Sequence, residues 1–314
     1  MNIVFMGTPD FCIPSLKMLA SEYNIKAVIT QPDRPRGRGK KLAPPPVKVF
    51  ADAATIPVYQ PDSIKILEFI HLLKKLKPDA IVVAAYGKIL PKEVLYIPRF
   101  GCINLHASLL PKYRGAAPIH WAVINGEQKT GVTTIYMDES MDTGDIILQR
   151  EIDILPDDTA GSVHDRLADL GASVLLHTLK LIAEGKAPRM PQNHAEATYA
   201  PIIKREHERI DWNKRARDIK NHIRGMNPWP GAFTTLYGKI LKIWKAGVVN
   251  KTADNDCDCT PGTVLSVNND GIIVKAGEEL ISITELQMQG KKKLSVSEFI
   301  RGNRIEEGTV LDGA

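Results

Sequence analysis

The 314-residue sequence predicts an α/β domain with a mostly parallel sheet, followed by a smaller all-β domain. In the first half of the chain, short apolar runs alternate with helix-like stretches. Several of these runs are apolar throughout, which is typical of parallel strands that are covered on both faces. From about residue 210 the pattern changes to short strand-like runs separated by turns. We therefore predict a first domain over residues 1–188, a linker over 189–208 and a second domain over 209–314.

The first domain is predicted to contain six strands with helices between them. The strands are predicted at residues 3–6, 27–30, 80–85, 102–105, 132–137 and 146–149. The helices are predicted at residues 11–20, 47–54, 63–77 and 118–125. A longer helix is predicted over residues 162–184, because apolar side chains recur there at helical spacing. Ser162 and Asp165 resemble a capping box at its start, and Gly185 is a typical C-terminal stop.

The second domain is predicted to begin with a helix over residues 216–224 and to continue as short strands. These strands are predicted at residues 232–237, 240–249, 262–267, 271–275 and 280–286. Turn-forming residues separate them, as at 268–271 and 276–279. Such a series of short strands predicts a small β-barrel, with the oligonucleotide-binding (OB) type as the candidate.

The composition is that of a globular protein, with 44% hydrophobic and 25% charged residues. No apolar run approaches the ~18 residues that a membrane span needs. The chain begins directly with a strand-like run and shows no leader-like segment. We therefore expect a soluble protein located in the cytoplasm, and a monomer.

The positive charge of the chain is concentrated in one segment. The formal net charge is +5, and residues 33–48, with six basic residues and one acid, carry all of it. Glycines and prolines interrupt this segment, which predicts a long exposed loop. A basic loop of this kind favours a polyanionic partner, although a solvated loop without a partner is an equally open explanation at this point.

Neither a metal nor a dinucleotide is predicted as a cofactor. The pair Cys257-x-Cys259 has no second cluster at metal-ligand spacing and is a weak zinc signal. The first strand-to-helix turn is Gly7-Thr8-Pro9-Asp10, which lacks the Gly-x-Gly-x-x-Gly pattern that cradles a pyrophosphate.

Two clusters of polar residues follow predicted strands, at the edge of the sheet where α/β proteins bind ligands. Asn104 and His106 lie at the end of one strand, and their spacing of two places them on the same side of it. Asp142 lies in the segment that follows another strand. An amide that stabilises an oxyanion, an imidazole that exchanges a proton and a carboxylate that orients it would suit acyl transfer. No Ser, Cys or Lys is paired with a base, so direct transfer is favoured over a covalent intermediate.

Each of these three residues also has a structural explanation when it is considered alone. Asn104 could satisfy backbone groups at a strand end, His106 could be a hydrogen-bonded core histidine, and Asp142 could begin a turn before Thr143-Gly144. The residue types alone therefore leave a catalytic and a structural interpretation open.

Ordered motifs span almost the whole chain. They are Gly7-Thr8-Pro9-Asp10-Phe11, Gln31-Pro32-Asp33-Arg34-Pro35, Gly37-Arg38-Gly39-Lys40-Lys41, Ala85-Tyr86-Gly87, Asn104-x-His106-x-Ser108-Leu109-Leu110-Pro111, Arg114-Gly115-Ala116-Ala117-Pro118, Met141-Asp142-Thr143-Gly144 and Asn227-Pro228-Trp229-Pro230. Together they resemble the folate-dependent formyltransferases, and within them the bacterial methionyl-tRNA formyltransferase family.

This resemblance implies a Rossmann-like catalytic domain and a C-terminal β-barrel of OB type. It implies that N10-formyltetrahydrofolate is the formyl donor and that the α-amine of methionyl initiator tRNA is the acceptor. It also assigns site residues. Catalysis falls to Asn104, His106 and Asp142; folate binding to Ser108, Leu109, Leu110 and Pro111; tRNA binding to Arg34, Arg36, Arg38, Lys40 and Lys41. Of the basic residues, Arg38 is predicted to make the most specific contact, and the others to attract phosphates.

The sequence departs from the family pattern at two places. His120 stands where a glutamine is expected, and residues 250–260 form an acidic insertion between predicted strands. Two alternatives remain: a folate-dependent formyltransferase acting on another amine, and an inactive nucleic-acid-binding protein. The first would not explain the basic loop together with the C-terminal barrel, and the second would not require all three polar residues.

Overall fold

The computed structural model describes residues 1–36, 41–249 and 258–312 of the chain. The predicted contacts of Arg38 and Lys40, and most of the predicted insertion at 250–260, fall outside these residues. The chain divides into two compact units. The first comprises Met1–Pro118, Lys129–Asp153 and His164–Pro201, and the second comprises Ile119–Gln128, Ile154–Val163 and Ile202–Ala314.

The first unit is built around a mixed sheet. Its strands are β1 (Asn2–Gly7), β2 (Asn24–Ile29), β3 (Arg34–Arg36), β4 (Lys41–Ala43), β5 (Val58–Tyr59), β6 (Ala80–Ala84), β7 (Cys102–His106), β8 (Arg114–Gly115), β9 (Lys129–Tyr136), β10 (Ile146–Asp153) and β11 (Tyr199–Ala200). Seven of them form the central sheet in the order β10-β9-β7-β6-β1-β2-β5. The pairings from β7 to β5 are parallel, whereas β9 pairs antiparallel with both β7 and β10. The prediction of a mostly parallel sheet is confirmed.

The apolar runs occupy the centre of this sheet. Every residue of β6 and of β7 is buried, as expected for strands covered on both faces. The edge strand β10 is buried at its N-terminal end and becomes more exposed toward its C-terminal end. All six predicted strands are present, and β5, β8 and β11 are short additions that the periodicity did not predict.

The helices of the chain are α1 (Ile13–Glu22), α2 (Pro46–Ala53), α3 (Leu67–Leu76), α4 (Lys92–Leu95), α5 (Pro118–Ile124), α6 (Ala160–Ala183), α7 (Ala216–Gly225) and α8 (Val296–Phe299). The predicted start of α6 at Ser162 is wrong. Thr159 is the N-terminal cap instead, because its hydroxyl accepts from the backbone N–H of Ser162 at 3.1 Å while the Ser162 hydroxyl accepts from the N–H of Thr159 at 3.0 Å. The predicted stop at Gly185 is confirmed by its left-handed φ of +68°.

The basic segment contains two paired strands where the sequence predicts a loop, and its last residues begin α2. Strand β3 pairs antiparallel with β4, in the register Arg34 with Ala43 and Pro35 with Leu42. Prolines are tolerated in such a two-stranded edge because it leaves backbone N–H positions unpaired.

The second unit contains a separate antiparallel sheet. Its strands are β12 (Phe233–Leu236), β13 (Lys239–Val249), β14 (Val264–Asn268), β15 (Gly271–Lys275), β16 (Leu280–Met288) and β17 (Leu294–Ser295). The order is β12-β13-β16-β15-β14, and β17 pairs with β16. The five predicted strands are present, and α7 packs against them around the buried Trp212, Ile219 and Ile223. Residues at the C-terminus bridge to both ends of this sheet, since Val310 pairs with Thr263 and Asp312 with Thr235.

In the part of the chain that the structure describes, none of the helices combines the length and the apolar character required to span a membrane.

Candidate active site

The strand β7 carries Asn104 and His106 into the interior of the first unit. Asn104 is 9% exposed and His106 is 6% exposed. The parallel neighbour β6 pairs Val83 with Asn104 on one side, and the antiparallel neighbour β9 pairs Thr133 with His106 on the other. Both side chains therefore have fixed positions at the end of a central strand.

Asp142 comes from the segment between β9 and β10 and meets both residues of β7. The Asn104 Nδ2 donates to Asp142 Oδ1 at 3.4 Å, and His106 Nδ1 lies 3.6 Å from Asp142 Oδ2. The backbone of Asp142 is left-handed, with φ of +57°. This conformation is uncommon for a residue other than glycine, and such residues concentrate at functional sites. The structure thus brings together the three residues that the sequence singles out.

The hydrogen bonds of His106 determine which of its ring nitrogens carries the proton in the neutral ring. The Nε2 atom lies 2.9 Å from the backbone carbonyl of Tyr113. A carbonyl can only accept, so Nε2 is the donor and neutral His106 has its lone pair on Nδ1. The Nδ1 atom faces Asp142 at a distance too long for a hydrogen bond. It is therefore available to exchange a proton.

A backbone amide holds the second oxygen of the Asp142 carboxylate. The N–H of Gly115 donates to Asp142 Oδ2 at 2.9 Å. Gly115 has φ of +122°, and a Cβ at this position would lie 2.7 Å from the carbonyl oxygen of Ala200. Only glycine therefore fits here without a shift of the backbone. The sequence motif contained Gly115 but did not indicate this contact.

The segment Ser108–Pro111, predicted to bind folate, is fixed by side chains of β9 and β10. The Thr133 hydroxyl donates to the carbonyl of Ser108 at 2.6 Å and accepts from the N–H of Leu110 at 3.1 Å. The amide of Gln149 donates to the carbonyl of Leu110 at 2.7 Å and to the Thr133 hydroxyl at 3.0 Å. Sequence reasoning missed both residues, because a threonine and a glutamine within strands carry no motif.

The four residues of that segment differ in exposure. Ser108 is buried and its hydroxyl donates to the carbonyl of Lys112 at 2.6 Å. Leu110 is buried in a small apolar cluster with Ile135 and Ile146. The side chains of Leu109 and Pro111 are half-buried. The segment thus offers these two side chains and its backbone to a ligand.

The basic hairpin is anchored at its base by a polar cluster. Lys48 Nζ donates to both carboxylate oxygens of Asp33, at 3.0 and 3.1 Å, and to Gln60 Oε1 at 2.7 Å. Gln60 Nε2 donates to Asp33 Oδ1 at 2.7 Å. These hydrogen bonds, from Gln60 first and then Lys48, lower the pKa of Asp33. The ammonium group of Lys48 is thus occupied by Asp33 and Gln60, whereas the side chain of Arg34 is exposed to solvent.

A cavity of about 530 Å³ lies between this hairpin and the ends of the parallel strands. Its walls include residues that follow β1 and β6, namely Thr8, Asp10 and Tyr86, together with Arg34 of the hairpin. Ala85, also on the wall, comes directly after β6, the strand beside Asn104 and His106. The cavity therefore lies at the end of β6, the strand that pairs with the one carrying Asn104 and His106.

The described residues contain no group of three or more His, Cys, Asp or Glu side chains arranged to hold a metal ion. Cys257 of the Cys-x-Cys pair lies outside them. Cys12 and Cys102 are buried free thiols, and burial raises the pKa of each to about 12. Both thiols are therefore protonated near neutral pH and are poor nucleophiles and ligands.

Two family models match the chain in succession. A model described as formyl transferase matches residues 1–179, and one described as formyl transferase, C-terminal domain, matches residues 202–304. Among curated relatives, the methionyl-tRNA formyltransferase of Desulforamulus reducens is 56% identical over 312 residues, which cover 99% of this chain and 98% of that protein. That of Clostridioides difficile is 53% identical over 312 residues, covering 99% of this chain and 100% of that protein.

Solved structures with similar folds are more distant in sequence. HypX from Aquifex aeolicus in complex with tetrahydrofolic acid is 18% identical with a TM-score of 0.64, covering 98% of this chain and 50% of that one. An N-formyltransferase from Helicobacter canadensis, in complex with folinic acid and dTDP-3-aminofucose, is 20% identical with a TM-score of 0.66, covering 90% and 98%. At these identities the likeness supports the fold alone.

Proposed function

Because the chain belongs to the methionyl-tRNA formyltransferase family, we propose that it formylates methionyl initiator tRNA with N10-formyltetrahydrofolate as the donor. Membership of the family establishes that the protein is a formyltransferase with a folate-derived donor. The roles of the individual residues are our proposal. The observation that carries them is the position of the Asp142 carboxylate, which lies within 3.6 Å of both Asn104 and His106.

In this mechanism the deprotonated α-amine of the methionyl group attacks the formyl carbon, and the carbonyl oxygen becomes an oxyanion. Asn104 donates an amide hydrogen to this oxyanion. The tetrahedral intermediate then collapses, the bond to N10 of the folate breaks and the formyl group remains on the amine. The attacking nitrogen loses a proton, and the leaving nitrogen must gain one. No bond to the protein forms, in agreement with the buried and protonated state of Cys12 and Cys102.

The hydrogen-bonding of His106 supports a division of the proton transfers. Since Nε2–H is committed to the Tyr113 carbonyl, proton exchange occurs at Nδ1, which faces Asp142. Asp142 stabilises the imidazolium that forms when Nδ1 accepts the proton of the amine. The same Nδ1 then returns the proton to the leaving nitrogen, directly or through a water molecule.

The donor is assigned to the side of the site toward β9, where Ser108, Leu109, Leu110 and Pro111 follow the catalytic strand. Thr133 and Gln149 hold this segment in one conformation, so that its backbone and half-buried side chains are preformed for a ligand. The acceptor is assigned to the opposite side, where the cavity beside β6 lies next to the basic hairpin.

The basic residues Arg34, Arg36, Arg38, Lys40 and Lys41 are proposed to bind the tRNA. The exposure of Arg34 and the anchored base of the hairpin support this assignment. Phosphate contacts would supply affinity, and Arg38 would contribute selectivity for the initiator.

We further propose that the antiparallel sheet of the second unit is a closed barrel of OB type. Thr309 and Leu311 support this proposal, because they bond to Val264 and Gly262 at one end of the sheet, while Asp312 bonds to Thr235 at the other. Full closure removes exposed edges from a small antiparallel sheet. The division at residues 188 and 209, and the monomeric state, remain predictions.

The decisive experiment offers the purified protein N10-formyltetrahydrofolate with methionylated initiator tRNA, and with methionylated elongator tRNA in parallel. We expect formylation of the initiator only, abolished in His106→Ala and weakened in Arg38→Ala. Transfer to neither tRNA, with transfer to a small-molecule or sugar-nucleotide amine, would contradict the assigned acceptor. Normal turnover in His106→Ala would contradict the assigned mechanism.

A further inference from the structure

Gln192 is a buried glutamine in the segment that follows α6, and its amide is completely used. The side chain is 6% exposed. Its Nε2 donates to the backbone carbonyls of Asp142, at 2.9 Å, and Gly144, at 2.8 Å. Its Oε1 accepts from Arg114, from Nε at 3.2 Å and from Nη2 at 2.6 Å. None of the motifs in the sequence includes this residue.

The orientation of this amide follows from its partners. Carbonyl oxygens only accept and a guanidinium only donates, so a flipped amide would face two acceptors with its oxygen and Arg114 with its NH₂. Both hydrogens of Nε2 are occupied by the two carbonyls. The donors and the acceptor of the Gln192 amide therefore match the two carbonyls and Arg114 together. A side chain with a different set of donors and acceptors would lose at least one of these contacts.

The two carbonyls belong to a tight turn that holds the candidate catalytic carboxylate. Asp142 has left-handed backbone geometry, and a Cβ added at Gly144 would lie only 1.7 Å from the carbonyl oxygen of Tyr136. This turn is packed directly against the end of β9. A left-handed residue that is not glycine persists when surrounding contacts over-determine its conformation. The two bonds from Gln192, one on each side of Thr143, are such contacts.

Arg114 connects this turn to the rest of the site. Its guanidinium is buried, with the residue 3% exposed, and Nη2 also lies 3.2 Å from His194 Nδ1. The next residue, Gly115, donates its N–H to the Asp142 carboxylate. The dipeptide Arg114-Gly115 thus holds Asp142 twice, at the carboxylate directly and at the backbone through Gln192.

We propose that Gln192 is a positioning residue for the formyl transfer, and that it acts through Asp142. It fixes the turn so that the carboxylate oxygens meet Asn104 and His106. Gln192 does not touch the reacting atoms, and Arg114 in turn holds its amide. The inference rests on the catalytic role proposed for Asp142.

The first test replaces Gln192 by glutamate, which has the same shape and still accepts from Arg114 but cannot donate to the two carbonyls. We expect the single-turnover formylation rate to fall by roughly 10- to 100-fold, the scale of a misplaced catalytic group. The KM values for folate and tRNA should remain within about twofold of wild type, because the binding segments are untouched. Gln192→Met, which neither donates nor accepts strongly, should lower the rate as well.

Asn193→Leu is the matched control, because among the described residues the Asn193 side chain bonds to its near neighbours Ala195 and Glu196 and to none of the residues of the site. It should leave the single-turnover rate unchanged. Both Gln192 variants are compared with wild type by thermal unfolding, so that rates are measured on folded protein. A wild-type rate in folded Gln192→Glu would overturn the proposal, as would a loss confined to the KM values.

A double-mutant cycle separates this proposal from the catalytic role proposed for Asp142. If Gln192 acts through Asp142, then Gln192→Glu should add less than about twofold to the loss already caused by Asp142→Asn. Full additivity of the two losses would refute the positioning role while leaving Asp142 catalytic. Wild-type activity in Asp142→Asn alone would instead refute the catalytic role of Asp142 on which the inference rests.

Discussion

Asn104 Nδ2 has two hydrogens, and its contact within the described residues uses one of them. That contact is the 3.4 Å bond to Asp142 Oδ1, which orients the amide. The second hydrogen is available to a substrate oxygen. The same atom can therefore be positioned by the carboxylate and serve an oxyanion, which is the arrangement that electrostatic catalysis requires.

Removing this donor should have a large effect on turnover and a small one on binding. We expect Asn104→Ala to lower kcat by ~10²–10³, the scale for loss of one oxyanion donor. The KM for folate should change little, because the ground-state carbonyl is a weaker acceptor than the oxyanion. Steady-state formylation kinetics measure both.

The control for this substitution is Asn24→Ala, since Asn24 bonds to Asn2 at the exposed opposite end of the sheet. Near-normal turnover in Asn104→Ala would remove Asn104 from the mechanism.

At the scale of elements, α7 places a titratable group where it is partly deprived of water. His222 lies in the last turn of this helix, and its Nε2 donates to the carbonyl of His207 at 2.7 Å. Burial lowers the pKa of His222 from its ordinary value of 6.5, and the bond to His207 only partly opposes this effect. The neutral ring is thus the form that the folded α7 prefers.

The stability of the second unit should consequently fall in mild acid. Below pH 6.5 the unfolded chain protonates this histidine before the folded chain does, so the free energy of unfolding decreases as pH falls toward the lowered pKa. Urea unfolding followed by tryptophan fluorescence, between pH 7.5 and pH 5 (about the range in which histidines titrate), measures this dependence. The signal reports on the second unit because Trp121, Trp212, Trp229 and Trp244 all belong to it.

His222→Gln should make that pH dependence shallower, because glutamine does not titrate. The exposed His71 on α3 provides the control, and His71→Gln should leave the pH dependence of the second unit as it is in wild type. An unchanged slope in His222→Gln would contradict the assignment of the titrating group.

At the scale of the whole molecule, the distribution of charge matters more than its total. The segment 33–48 carries a net charge equal to that of the entire chain, and Lys48 within it is paired with Asp33. The segment also contains Arg34, Arg36, Arg38, Lys40 and Lys41, and the side chain of Arg34 is exposed on β3. A polyanion should bind there in a strongly salt-dependent manner.

Replacing Arg34, Lys40 and Lys41 together by alanine should weaken tRNA binding and reduce its salt dependence. The slope of log K against log salt is negative, and each lost phosphate contact reduces its magnitude by about one. We therefore expect the magnitude of the slope to fall by roughly 2 to 3. The turnover at saturating tRNA should be preserved. Filter binding at several salt concentrations measures the slope.

The control is a triple alanine variant of Lys65, Lys74 and Lys75, which are exposed on α3 or just before it. This variant changes the net charge by the same amount as the hairpin variant. It should keep the wild-type slope. Equal slopes in the two triple variants would show that only the total charge matters and would contradict the assignment of the hairpin.

Local sequence determined the elements and the identity of the candidate catalytic residues. Fully apolar runs such as β6 and β7 indicate burial on both faces without reference to any distant residue, and all six predicted strands of the first unit are present. The motifs likewise identify Asn104, His106 and Asp142, because each motif is contiguous along the chain. The prediction was wrong where a local pattern is compatible with two helix starts. At the start of α6, Thr159 caps the helix, and the Ser162 hydroxyl accepts from the backbone N–H of Thr159 in return.

Only the tertiary structure decided how Asp142 is held. Gln192 is separated from Asp142 by 50 residues, and the bond between Gly115 and the Asp142 carboxylate spans 27. Periodicity reports whether a side chain is buried, but it does not report which distant group completes its hydrogen bonds. Buried polar groups must find such partners, and the chain path selects them after the elements have packed. The sequence by itself therefore determined which residues are candidates for the chemistry, and the packing determined what positions them.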